Sequence, residues 1–121
     1  MELGNMSYDE KQELAEDLKT PNDVLRKLAK KDEHWAVRRY VAENPNTPGD
    51  VLTELTIDPQ DFVRVHVAQN PNSSSNILVT LLENEKNCNT PNLGIIKSLY
   101  IHKNLPHIAK VIIETLFGKW L

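Results

Sequence analysis

Apolar residues recur along this chain in short groups with helical spacing. One group lies within residues 24–28, and a group of the same form, Val-Leu-x-x-Leu, lies within residues 51–55. An aspartate comes directly before each group, and a Thr-Pro pair comes just before the aspartate. No segment alternates apolar and polar residues between turn signals, as a half-buried strand does. The pattern therefore predicts short helices and no sheet.

The same pattern returns with a period of about 26 to 27 residues. Residues 20–46 read TPNDVLRKLAKKDEHWAVRRYVAENPN, residues 47–72 read TPGDVLTELTIDPQDFVRVHVAQNPN, and a partial copy, SSSNILVTLLE, begins at Ser73. Each unit contains two motifs. The motif Thr-Pro-x-Asp-Val-Leu-x-x-Leu predicts a first helix, with Thr20 or Thr47 as its N-cap and proline at its first position. The motif x-Val-Arg-x-x-Val-Ala-x-Asn-Pro-Asn predicts a second helix that ends before proline.

Both ends of the chain depart from this period. The segment Ser7-Tyr8-Asp9-Glu10 is a capping box, which predicts an N-terminal capping helix within residues 1–19. The linker-like sequence Asn87-Cys88-Asn89-Thr90-Pro91 follows Asn70 after 17 residues instead of 26. We therefore expect the second helix of the third unit to be missing.

A single domain over residues 1–121 follows from these patterns. We predict repeat units over residues 20–82 and atypical C-terminal helices over residues 83–121, at about 74–85, 90–103 and 106–118. The predicted fold is an all-α solenoid of about seven or eight short helices.

The two motifs together resemble a known repeat family. TP-x-D-V-L-x-x-L followed by V-R-x-x-V-A-x-N-P-N-T-P is similar to the leucine-rich repeat variant, an α-solenoid akin to HEAT and armadillo arrays. The resemblance covers about residues 17–82. It implies a right-handed superhelix of paired helices and an interaction surface, with no single chemistry. Where the family pattern usually has alanine, two residues after the arginine, this chain has Tyr40 and His66. Their larger side chains would either widen the helix spacing or form a local pocket.

Charge and cysteine content narrow the function classes. The 121 residues carry a net charge of −3, with thirteen acidic and eight basic residues up to position 60. This balance argues against binding of a nucleic acid backbone. One cysteine, Cys88, excludes an intramolecular disulfide and a multi-cysteine metal site. No apolar run exceeds the three residues of Val111-Ile112-Ile113, so we expect no membrane span and a cytoplasmic protein.

Motifs for catalysis or cofactor binding are missing from the sequence. The four glycines stand alone, so no phosphate-binding loop is present, and no two histidines have the spacing of a helical zinc site. His102 and His107 flank a predicted helix break, where we expect solvated side chains, with convergence of the two imidazoles as the alternative. A pair of Cys88 with a histidine remains an alternative, but Cys88 takes the position of Pro45 in a linker. We predict no enzyme activity, no cofactor and no metal.

Arginines and asparagines recur at matched positions of the units. Arg38 and Arg64 suggest either structural ion pairs or a ladder that binds an acidic peptide or phosphates. We prefer the structural interpretation, because Asp32 and Asp58 lie six residues before them and a carboxylate of the neighbouring repeat is also within reach. The repeated residues Asn44 and Asn70 are predicted to cap backbone groups in the linkers.

Aromatic and apolar residues supply the remaining candidates. Trp35 and Phe62 occupy nearly equivalent positions, and we expect core packing there, with a binding groove as the alternative. On the last helix, a stripe of residues 108, 111, 112 and 116 is predicted to pack on the preceding helix. Ile113 and Phe117 then lie beside the stripe and, with Trp120, widen the apolar surface. We expect self-association or partner docking there.

These observations favour a non-catalytic protein-protein interaction or scaffold module. The partner is an unidentified protein, or a second copy bound through the C-terminal helix. The candidate interaction residues are Trp35, Arg38, Tyr40, Phe62, Arg64, His66, Ile113, Phe117 and Trp120.

The alternative is a HEAT-like nucleic-acid-binding protein or an enzyme of the DNA glycosylase type. Such a protein needs a cationic concave face. The alternative therefore requires one shared face for Arg26, Lys30, Arg38, Arg64, Lys97 and Lys110.

Overall fold

The computed structural model describes residues 3–30 and 33–121, and it contains helices and no strand within them. The eight α-helices are α1 (Tyr8–Glu16), α2 (Asn22–Leu28), α3 (Trp35–Glu43), α4 (Gly49–Leu55), α5 (Asp61–Gln69), α6 (Ser75–Lys86), α7 (Leu93–Tyr100) and α8 (His107–Phe117). A 3₁₀ turn precedes α1 at Leu3–Asn5, and another follows α8 at Gly118–Trp120. The prediction of an all-α chain with seven or eight short helices is confirmed.

The helices alternate between two layers. Helices α1, α3, α5 and α7 pack side by side in chain order, and we call them the B layer. Helices α2, α4, α6 and α8 form the A layer, and each of them contacts at least one B helix that is its neighbour in sequence. Contacts between neighbouring units are the rule in solenoids, whose stability is the sum of local interfaces. The architecture is therefore that of a short helical solenoid.

The A helices begin one residue later than the sequence suggested. Pro21 and Pro48 are the N-caps of α2 and α4, and the preceding threonines do not accept hydrogen bonds from these helices. Instead, the Thr47 hydroxyl donates to the carbonyl oxygen of Val41 at 2.6 Å, and Thr20 donates likewise to Leu14. The prediction of threonine N-caps is therefore wrong. The threonines are buried, and the last carbonyl groups of a B helix lack partners within that helix, so each hydroxyl satisfies one of them.

The N-terminal capping box is confirmed. The Ser7 hydroxyl accepts the backbone N–H of Glu10 at 3.2 Å, and the Glu10 carboxylate accepts the N–H of Ser7 at 3.0 Å. Helix α1 occupies the first position of the B layer, since it packs against α3 as α3 packs against α5.

The third unit keeps its second helix. Helix α7 packs against α5 in the B layer, and His102 and Asn104 after it form the linker contacts that Asn70 and Asn72 form after α5. The prediction of a missing second helix is therefore wrong, because the third unit is longer than the others. The linker-like segment 87–91 joins α6 to α7 within this unit, and Cys88 is not equivalent to Pro45.

Helix α8 buries a different face from the one predicted. Ala109, Ile113 and Phe117 are its buried residues. Ile108 and Leu116, which were expected to pack on the preceding helix, are 67% and 50% exposed. The two candidate interaction residues Ile113 and Phe117 therefore belong to the core. The apolar residues of α8 cover more than half of its circumference, so the stripe alone did not determine which part faces α7.

Candidate functional site

The fourth residue of α1, α3 and α5 is a cation, and each of these cations pairs with a carboxylate that lies before the next B helix. Lys11 on α1 pairs with Glu33, with 2.8 Å between Nζ and Oε1. Arg38 on α3 forms a two-pronged pair with Asp58, with distances of 2.7 Å from Nε and 3.1 Å from Nη2. The side chains of Arg38 and Asp58 are only 6% and 2% exposed. Arg38 also donates to the carbonyl oxygen of Glu33, so its guanidinium is held from both sides.

Arg64 continues this series on α5. Its guanidinium donates to the carbonyl oxygen of Asp58 at 2.7 Å and to the Asp61 carboxylate at 2.6 Å. Glu85, itself buried, lies 3.5 Å from Arg64 Nε and also accepts the backbone N–H of Asn92 at the start of α7. The proposed partner Asp32 lies outside the described residues. Both arginines are thus engaged inside the array, as expected for structural residues.

The linkers between units are joined by a second series of contacts. The Asn70 amide donates to the carbonyl oxygens of Ala42 at 2.7 Å and Asn44 at 2.9 Å, and its Oδ1 accepts the N–H of Asn72 at 2.8 Å. Asn44 forms the same contacts one unit earlier, with the end of α1. The prediction that these asparagines cap backbone groups in the linkers is confirmed. Each linker is thereby tied to the one before it.

At the two ends of this series, the position of the asparagine is occupied by Asp17 and by His102. The sequence pattern did not identify the linker role of these two residues. Asp17 accepts the N–H of Lys19 at 2.9 Å through Oδ1. His102 accepts the N–H of Asn104 through Nδ1 at 3.0 Å, and its Nε2 lies 2.8 Å from the carbonyl oxygen of Asn70. His102 is buried, so the prediction of a solvated loop histidine is wrong, whereas His107 is exposed. The available signal was a proline four residues downstream, Pro21 after Asp17 and Pro106 after His102.

Aromatic rings form a row across three B helices at their N-terminal ends. The Trp35 ring stacks on Phe62, with 5.7 Å between centroids, and on His34, at 5.8 Å. Tyr8 meets His34 edge-on at 5.4 Å. We call these four residues the aromatic row. Phe62 is 62% exposed and Trp35 is half-buried, so the expectation of core packing is wrong for Phe62.

Tyr40 and His66 lie on the B layer, both half-buried. The Arg39 guanidinium lies 5.1 Å from the centre of the Tyr40 ring. His66 lines a shallow cavity of about 240 Å³ with Glu43 and Gln69, and its Nδ1 is 3.5 Å from the Glu43 carboxylate. Burial lowers the pKa of His66 below its usual value; nearby Arg39 acts in the same direction and Glu43 opposes it. His66 is therefore kept neutral to lower pH than a free imidazole.

The exposed apolar residues concentrate at the C-terminal end. On α8, Ile108, Val111 and Leu116 are exposed and Ile112 is half-buried. Trp120, in the 3₁₀ turn that follows, is 45% exposed. We call Ile108, Val111, Ile112, Thr115 and Leu116 the C-terminal face.

Three of the six cations that the nucleic acid alternative requires pair with carboxylates. Arg38 and Arg64 are held in internal ion pairs, and Arg26 on α2 pairs with Asp50 on α4. Lys97 and Lys110 lie on α7 and α8, in different layers. No observation therefore favours the nucleic acid alternative.

Within the part of the chain that the structure describes, no three histidine, cysteine or carboxylate side chains are placed to hold a metal ion. The exposed Cys88 thiol donates to the carbonyl oxygen of Asn84 at 3.2 Å. None of the helices in the same residues has the length and apolar content needed to cross a bilayer.

Comparison with known families gives one match. Residues 35–60, from the start of α3 to the segment before α5, match the family model for the leucine rich repeat variant. Neither the curated proteins nor the solved structures provide a significant match. Residues 35–60 are thus similar to a unit of the leucine rich repeat variant, and they lie inside an all-helical repeat array.

Proposed function

We propose that this helical-repeat module is a non-catalytic protein-binding scaffold that engages its partner across the aromatic row. The observation that carries the proposal is the position of Phe62, a large aromatic side chain left 62% exposed beside Trp35 and His34. Exposed aromatic side chains contribute strongly to protein interfaces, because they bury much apolar area at low entropic cost.

The recurrent polar residues support the scaffold part of this proposal. The recurrent arginines and asparagines are engaged in contacts between units, which maintain the array. The proposal includes a cytoplasmic location, which a single exposed thiol at Cys88 fits.

Affinity purification tests this function with a matched pair of variants. Phe62 and Ile57 are equally exposed, at 62%, but Ile57 lies in the segment between α4 and α5 and outside the aromatic row. The tagged wild type and the Ile57→Ser variant should retain the same protein partner, and Phe62→Ser should retain at least about tenfold less of it. Far-ultraviolet circular dichroism checks that the three proteins are equally helical. Equal recovery by Phe62→Ser, or no protein retained by the wild type, would refute the proposal.

A further inference from the structure

The C-terminal ends of three B helices form a groove. Gln69 and Pro71 line two adjoining cavities, one of about 490 Å³ and one of about 240 Å³. The larger cavity lies between the ends of α5 and α7, and the smaller one extends to Glu43 at the end of α3. We call the two cavities together the end groove. Packed helices lie about 8–10 Å apart, so the end groove is about as long as five or six residues of an extended chain.

The larger cavity has apolar walls. Ala68 at the end of α5 and Pro71 in the following linker line it from one helix, and Ile101 directly after α7 lines it from the other. Among the described residues, no large apolar side chain is more exposed than that of Ile101, at 82%. The volume and the walls are those of a ligand pocket. The cavity therefore provides a site for an apolar side chain of a ligand.

Polar groups that suit a peptide backbone lie in the same cavity. The Gln69 amide donates to the Ser98 hydroxyl oxygen at 3.3 Å. The described residues provide no acceptor for the Ser98 hydroxyl and no donor for Gln69 Oε1. Each non-proline residue of an extended chain offers one N–H and one C=O group. A chain in the end groove would therefore satisfy both side chains.

The charge beside the larger cavity is positive. Lys103 lines this cavity, and no carboxylate lines it. Lys97 lies one turn before Ile101, so the exposed isoleucine has a lysine on each side along the chain. Both lysines are exposed, and neither forms an ion pair with a carboxylate of the described residues. The carboxylates beyond position 60 have other partners: Asp61 and Glu85 contact Arg64, Glu83 contacts Lys86, and Glu114 contacts Tyr100.

The other titratable groups of the end groove add no net charge. His102 accepts the N–H of Asn104 through Nδ1, so its ring is neutral. Glu43 lies 3.7 Å from the Arg39 guanidinium, which balances its charge. Burial lowers the pKa of His66, which keeps this imidazole neutral at neutral pH. The two lysines at the α7 end therefore determine the charge that the groove attracts.

We propose that the end groove binds an extended acidic segment of a partner protein, with an apolar side chain in the larger cavity and a carboxylate at Lys97 and Lys103. The length of the groove fits an extended chain, and the apolar walls fit the side chain. The unpaired lysines fit a carboxylate beside it. The proposal goes beyond the proposed function, because the end groove and the aromatic row lie at opposite ends of the B helices.

Titration with a synthetic peptide, followed by amide NMR spectroscopy at low salt, tests this site. The probe is the acetylated and amidated pentapeptide Glu-Ser-Leu-Ser-Glu. A carboxylate on each side of the leucine brings one of them to the lysines in either direction of the chain, because alternate side chains of an extended chain point the same way. The probe should give saturable shifts of the Gln69, Ser98 and Lys103 signals, with a Kd of about 1 mM or tighter. The absence of saturable shifts at these residues up to about 10 mM overturns the proposal.

Matched peptides separate the contribution of charge from that of the apolar side chain. Gln-Ser-Leu-Ser-Gln keeps the leucine without the carboxylates, and Glu-Ser-Ser-Ser-Glu keeps the carboxylates without the leucine. Each should bind at least about threefold more weakly than the probe, because each lacks one of the two contacts. Equal binding of all three peptides overturns the proposal.

Charge reversal tests the role of the lysines. The double variant Lys97→Glu/Lys103→Glu should bind the probe at least about tenfold more weakly and should instead bind Lys-Ser-Leu-Ser-Lys. The matched control is Lys19→Glu/Lys27→Glu, which makes the same change in net charge at two exposed lysines outside the groove. The control should bind the probe like the wild type. Equal weakening by the two double variants overturns the proposal.

A second pair of variants tests the apolar contact. Ile101→Ser should weaken binding of the probe at least about threefold, whereas Ile57→Ser, at an exposed isoleucine outside the groove, should not. Equal binding by these two variants overturns the proposal. Shifts of the groove signals when the protein is diluted without peptide would identify a second copy as the occupant, which also overturns it. Phe62→Ser should bind the probe like the wild type, so neither result affects the proposed function.

Discussion

Two arginine-aspartate pairs in this array have nearly the same geometry and very different surroundings. Arg38 contacts Asp58 with distances of 2.7 and 3.1 Å, and Arg26 contacts Asp50 with distances of 2.8 and 3.2 Å. The first pair is buried, whereas the side chains of the second are about half exposed. Water screens an exposed pair, whereas loss of one partner of a buried pair leaves an uncompensated charge.

The first prediction follows from this contrast. Arg38→Ala should lower the free energy of unfolding by about 3–5 kcal/mol, because Asp58 would remain buried without its cation. Arg26→Ala should leave the free energy of unfolding nearly unchanged. Chemical denaturation followed by circular dichroism measures both. Equal destabilisation by the two substitutions would show that burial does not determine the contribution of these pairs.

At the scale of the element, the linkers show why the position of Asn44 and Asn70 is taken by Asp17 in the first linker. Asn44 and Asn70 need both halves of the amide: the oxygen accepts an N–H of their own linker, and the nitrogen donates to the preceding linker. Asp17 makes only the first contact, which a carboxylate provides as well as an amide does. The requirement for a donor therefore appears only where an earlier linker is present.

The second prediction tests that requirement. Asn70→Asp replaces a donor by an acceptor that faces two carbonyl oxygens, and it should lower the free energy of unfolding by about 1–3 kcal/mol. The reverse change in the first linker, Asp17→Asn, should be tolerated, because the accepting oxygen is kept. Thermal unfolding of the two variants decides this prediction, and an equally stable Asn70→Asp variant would contradict it.

On the scale of the whole molecule, stability depends on a core that continues from α1 to α8. The buried apolar residues extend from Ala15 to Phe117 without a break between units. Leu55 on α4 belongs to the middle of this core and is only 2% exposed. In a solenoid, a central unit supports interfaces on both of its sides.

The third prediction concerns that central position. Leu55→Ala should lower the free energy of unfolding by about 2–5 kcal/mol, the range for truncation of a buried leucine. Leu18→Ala, at a leucine 58% exposed, should change it by less than about 0.5 kcal/mol. Guanidinium denaturation measures both values. A change below about 0.5 kcal/mol for Leu55→Ala would mean that the central unit contributes little to the array.

Several features of the fold and of the candidate site could be predicted because their causes are local. Helical spacing, the capping box at Ser7 and Glu10, and proline at the ends of helices all act within a few residues. The repeat of these signals predicted the two helices of the first two units and the family resemblance, which the match confirms at residues 35–60. The linker role of Asn44 and Asn70 followed from their recurrence before proline.

Tertiary structure alone decided which distant groups meet. The pairing of Arg38 with Asp58, twenty residues away, depends on how α3 and α5 pack. The position of α7 beside α5 was not predicted, because the greater length of the third unit hides the repeat period. For the apolar residues of α8, packing against the array selected Ile113 and Phe117 for the core and left Ile108 and Leu116 exposed. The sequence by itself determined where helices form, because hydrogen bonds and caps are local. It left open which apolar face is buried, because burial depends on contacts between residues far apart in the chain.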